Sequence, residues 1–216
     1  MILGKIVDFI VPFGPFLRNV ENEYKFKYFL GLLFHIIPLT FFVYWLFSFI
    51  PFVSGIIYML VLVPLSAKRH IKLKDISGRP EKYKVYLWYL TVVSIGFGGL
   101  WGFIGHTFMA DTVAEGIGWT TGSPFQTELA FYILGSAVAG LTAIWIKGHM
   151  ITATVITKSI FWFGAALVHI KEAVVSQNYS PLNIGAPLVN DIVLPFVFLV
   201  LLYLVIKKSS RKVEVD

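Results

Sequence analysis

Residues 85–109 read VYLWYLTVVSIGFGGLWGFIGHTFM, 25 consecutive positions without an Asp, Glu, Lys or Arg. A helix of ~20 apolar residues, rising ~1.5 Å per residue, crosses the hydrocarbon core of a bilayer. Hydrocarbon offers the backbone no hydrogen-bond partner, so a lipid-exposed crossing segment has to satisfy its own N–H and C=O groups as a helix. Comparable runs lie on both sides. Upstream are 28–50, interrupted by Pro38, and 51–67; downstream are 128–146, 150–171 and 191–206. Together with 85–110 they predict an all-α, polytopic transmembrane helical bundle of about six spans, a single membrane domain over 1–216. Residues 1–27 are expected to lie at the interface, because Asp8, Pro12 and Pro15 interrupt their apolar run. Residues 207–216 form a basic tail.

Composition agrees. Of 216 residues, 57% are hydrophobic and 14% charged, against roughly 25% charged in soluble domains. The mean hydropathy is +0.77. The absence of cysteine excludes disulfides, thiolate metal sites and cysteine nucleophiles. A net charge of +6 could suggest nucleic acid, but its placement points instead to membrane topology. Residues 68–84 hold seven Lys/Arg against two acids, whereas 110–127 and 172–190 contain no Lys or Arg. The basic side faces the cytoplasm by the positive-inside rule, which puts both termini inside. The expected setting is the lipid bilayer of the cell (plasma) membrane, with a homo-oligomer open and no nucleic-acid partner. The Walker A loop, the dinucleotide fingerprint and the HExxH motif are absent.

Polar groups are expected to converge at the outer ends of spans three to five. Ser94, Gly98 and Gly102 recur every four residues, and His106 continues that face. Gly135 and Ala139 make a similar stripe, with Glu128 two turns earlier. Ala165 precedes His169 by one turn. His106 lies ~30 Å along its span from Val85, at the level where Glu128 begins the next. Asp111 and Glu115 are one turn apart beyond Met109. Trp119, Ser123, Gln126, Glu172, Asn178, Asn183 and Asp191 lie in or beside the outer connections as supporting residues. Lys158 stands in the inner half of its span, three turns before His169 on one face. A lysine at that depth needs a carboxylate, water, or an extended stem. His35 reads as a packing residue, and His70 and His149 as solvated cytoplasmic ones.

The segment His106-x4-Asp111-x3-Glu115-x2-Gly118-Trp119-x2-Gly122-Ser123-Pro124-Phe125-Gln126-x-Glu128 resembles an uncharacterised, domain-of-unknown-function family of small prokaryotic integral membrane proteins. That family is typified by IGW-x2-GSPFQ-x-E, followed by a GAA-x2-H stretch and a loop leading to Asp. Here these read Gly164-Ala165-Ala166-x2-His169, then Asn178 to Gly185, then Asp191. The resemblance covers about residues 100–195 and implies no activity.

Three chemistries fit the candidates. His106 and His169 with Glu128 and Asp111 or Glu115 could hold a divalent metal, or the site could take a small polar or lipid ligand, with or without catalysis. The same groups with Lys158 could line a path for ions or protons in a small transporter or channel. The two histidines could also be axial ligands of a haem.

Overall fold

The computed structural model describes the backbone of residues 63–213 and the side chains as far as Lys207. All regular structure among those residues is helical, with no strand. The order is α1 (Val63–Leu73), α2 (Arg79–Leu90), a π-helical stretch (Thr91–Phe97), α3 (Gly98–Phe108), α4 (Ala110–Ile117), α5 (Pro124–Thr142), α6 (His149–Val175), α7 (Pro181–Ile184) and α8 (Ala186–Val213). Residues 1–62, which include the expected interfacial segment, the 28–50 span, His35 and most of 51–67, lie outside the described residues. So does the end of the tail.

Three helical runs are long and apolar enough to cross a membrane: Arg79–Phe108, His149–Val175 and Pro181–Lys207. The run expected over 85–110 therefore begins at Arg79, about one and a half turns earlier, with Pro80 in its first turn. The span expected over 128–146 is α5, shifted to Pro124–Thr142. It is not among the three, because Gln126 and Glu128 in its first turns lower its hydropathy. Proline at its first position fits the helix start, where no intrahelical N–H bond is lost.

The strongest packing joins α6 to α8, α3 and the π-helical stretch to α5, and α2 to α8. The π-helical stretch changes which small residues meet α5. A Cβ on Gly140 would lie 2.6 Å from the Gly96 nitrogen, and one on Gly99 would lie 2.8 Å from the Ala137 Cβ. The close face thus runs through Gly96 and Gly99, with Gly98 exposed, and not along the Ser94–Gly98–Gly102 row expected from uninterrupted α-helical spacing. On α5 the buried row is Gln126, Ala130, Ile133, Ala137 and Gly140. Gly135 points to open space.

Large apolar side chains crowd the exterior, and several polar ones are buried among the apolar core. The buried face of α6 carries Thr154, Lys158, Ser159 and His169, while Ile160 and Leu167 on its outer face are 69% and 68% exposed. So many large apolar side chains on the exterior suit lipid and would be a liability in water.

Candidate functional site

The site forms where the end of α6 meets α7, the start of α8 and the end of α4. Gly118 ends α4 at φ +84°, a left-handed conformation that releases the chain toward Trp119. A Cβ there would sit 2.6 Å from Asn178 Oδ1 and from Ser180 Oγ, so glycine is required by space as well as by torsion. Asn178 then fastens the connection after α4 to the one after α6. Its Nδ2 donates to the Ile117 carbonyl at 2.8 Å, and its Oδ1 accepts from the Ser180 N–H at 3.1 Å.

Asn183, on the single turn of α7, is fully buried. Its Nδ2 donates to the Asn178 carbonyl at 2.7 Å and to the His169 carbonyl at 3.2 Å. Its Oδ1 accepts from His169 Nδ1 at 2.7 Å. That bond assigns the Nδ1 proton, because an amide oxygen can only accept. The other ring nitrogen, Nε2, faces Asp191 Oδ2 at 3.7 Å. Trp119 covers the imidazole in a parallel stack, 6.5 Å between centroids and 6° between planes.

Asp191 lies one turn before Pro195, which is buried inside α8. Proline has no N–H, so the Asp191 carbonyl lacks its ordinary helical partner. Deeper in the bundle Lys158 is only 4% exposed. Its ammonium lies 4.4 Å from the Phe161 ring, 5.3 Å from Trp162 and 5.6 Å from Tyr132, a cation–π environment. It interacts electrostatically with Asp191 on α8 and with His106 on α3. No ion pair within 4.0 Å joins Lys158 to Asp191 among the described residues. The hydroxyls of Ser159 and Ser94 are buried with no hydrogen-bond partner among them.

The structure therefore sorts the sequence candidates. His169, Asn178, Asn183, Asp191 and Trp119 come together, and Lys158 faces the same interior. His106 belongs to a neighbouring contact, where Gln126 Nε2 donates to its Nδ1 at 3.3 Å and to the Ala110 carbonyl at 2.8 Å. Glu128 is exposed, because two residues beyond Gln126 is the opposite side of α5. Asp111, Glu115 and Ser123 are exposed, and Glu172 is half-buried. Asp111 and Glu115 are not a continuation of α3, which breaks at Met109 before α4 starts. Among the described residues no three His, Asp or Glu side chains meet as a metal-holding group. The deciding role of Asn183 was hard to see in sequence, since a loop asparagine carries no period. Its position fourteen residues after His169 becomes informative only once α7 folds back.

A family model described as a family of unknown function (DUF6790) matches residues 41–211. No curated protein and no solved structure matches the chain.

Proposed function

Because the chain belongs to this family of unknown function, its chemistry must be argued from the site, and we propose that it is a multi-span protein of the cell membrane whose interior relays protons. The six-span arrangement with both termini cytoplasmic is part of that proposal. The reading rests above all on the His169–Asp191 contact. With Nδ1–H committed to Asn183, Nε2 and Asp191 Oδ2 face each other as two acceptors unless a proton sits on one of them. A proton held there by an imidazole and a carboxylate can be passed on, the behaviour for which intramembrane His and Asp residues are used. Lys158 supplies a second proton-exchanging group toward the inner half of α6. The Ser159 hydroxyl, next to Lys158, and the Ser94 hydroxyl are buried without a hydrogen-bond partner among the described residues and are suitable anchors for interior water. The freed Asp191 carbonyl at Pro195 adds another acceptor.

A divalent metal has weaker support, since no three His, Asp or Glu side chains meet among the described residues. Haem has less, because His106 and His169 are held in separate contacts, with Gln126 and with Asn183. The test is proton entry into liposomes carrying the full-length protein and an internal pH dye. Lys158→Met and His169→Ala are expected to slow it by about tenfold or more, the rate effect of ~1.4 kcal/mol. Equal rates in both variants and the unaltered protein would refute the relay.

A further inference from the structure

The opposite end of the bundle carries a second convergence that the relay does not use. The end of α1, the last turn of α2 and the turn between α5 and α6 meet around Trp88 and Tyr89. Trp88 Nε1 donates to the Ala143 carbonyl at 2.7 Å, tying α2 to the end of α5. Lys147, in the following turn, places its ammonium 4.6 Å from the Trp88 ring. His70 stands edge-on to Trp88 and Tyr89, at 5.9 Å and 5.8 Å between centroids, and contacts the Tyr89 hydroxyl at 3.4 Å. It is therefore packed and half-buried, not simply solvated as its sequence context implies. The charged groups acting on His70 are both cations, Lys147 and Lys74. Lys74 and Lys147 are themselves exposed.

His70 from α1 and Lys147 from the α5–α6 turn thus flank an indole and a phenol, with Lys74 one turn beyond His70. This end is also the one where the basic residues of 68–84 gather, next to helices apolar enough to cross a membrane. Trp88 lies ~14 Å along its helix from Arg79, a depth suited to the interface. We propose that His70, Lys74 and Lys147 bind the phosphate headgroup of an anionic phospholipid, with the buried Trp88 holding His70 and Lys147 in place and the half-buried Tyr89 beside the lipid glycerol. The lipid is the partner that the geometry favours, because cationic groups and interfacial aromatics here flank a single level next to apolar helices.

The test is a titration of the full-length protein in neutral detergent with short-chain phosphatidylglycerol, phosphatidylcholine or inorganic phosphate, reading the thermal unfolding midpoint. Phosphatidylglycerol is expected to raise the midpoint saturably, and the other two are not. Lys74→Gln and Lys147→Gln should each raise the half-saturating concentration by about fivefold, the factor for one basic group at an anionic surface. Lys207→Gln, a basic change elsewhere, should leave it in place. The variants' midpoints without lipid report whether each still folds. Equal protection by phosphatidylcholine or inorganic phosphate would overturn the proposal. So would a loss in Lys207→Gln as large as in Lys74→Gln, which would mean diffuse charge and no site.

Discussion

Asn183 illustrates how much one side chain can hold. It is fully buried, and it satisfies the His169 ring and the carbonyls of His169 and Asn178. Asn183→Ala would leave three polar groups without that partner, and each buried orphan costs roughly 1–3 kcal/mol. A loss of about 2–4 kcal/mol in unfolding free energy is expected after partial rehydration, measured by denaturation in detergent. An unchanged stability would mean that the asparagine does not anchor the ring. Gly118 gives a second expectation at this scale. Gly118→Ala forces a side chain into a left-handed conformation, costing about 1–2 kcal/mol, and drives its Cβ against Asn178 and Ser180. Period and rise in the sequence group His169, Asn178, Asn183 and Asp191 at one end of the expected spans. They also offered Glu128, Asp111 and Glu115, which are exposed. Spacing could not distinguish a wet helix end from a packed one, because both carry the same residue types.

At the scale of helices, the α5 seam is the clearest case of a pattern read on the wrong row. Gly135 and Ala139 are four apart, but so are Ile133 and Ala137; only contact with Gly96 selects the row ending at Gly140. The π-helical stretch at Thr91–Phe97 adds to the difficulty, because it shifts every following residue relative to α-helical spacing. Gly140→Ala is expected to cost about 1–3 kcal/mol by forcing the two backbones apart. Gly135→Ala, with nothing within 4 Å, should be neutral or stabilise by up to about 1 kcal/mol. The reverse order in thermal unfolding would place the seam on the other row.

The α1–α2 contact has a pH dependence that can be signed. Burial first, then Lys147 and Lys74, hold the His70 pKa below its ordinary value. A histidine whose folded pKa is lowered contributes stability that is complete above its unfolded pKa and is lost as the pH falls through that value toward the folded one. The packing of α1 on α2 should therefore weaken below roughly pH 6.5. Limited proteolysis near residues 74–79 should accelerate with acidification in the unaltered protein, and His70→Gln should remove the acceleration.

For the whole molecule, the apolar exterior and the asymmetric distribution of basic residues agree. Long apolar runs made the helical class legible from sequence alone, because a backbone in hydrocarbon has few alternatives. Their registry was less legible, since helix ends depend on turn residues such as Gly118 and on breaks such as Met109. The lack of native cysteine makes the expected sidedness easy to examine. Lys82→Cys and Thr121→Cys should react with an impermeant thiol reagent from opposite sides of the membrane. Labelling from the same side would contradict the assignment of the 68–84 and 110–127 connections to opposite faces.

The most direct measurement of the central claim is proton entry into dye-loaded liposomes for three proteins: unaltered, Asp191→Asn and Glu128→Gln. Asp191 faces His169 inside the bundle, whereas Glu128 is exposed, although each carboxylate stands at the start of an expected span in sequence. The account predicts that Asp191→Asn slows entry by about tenfold or more and that Glu128→Gln matches the unaltered protein. Equal rates in Asp191→Asn and the unaltered protein, or a slowing confined to Glu128→Gln, would contradict it.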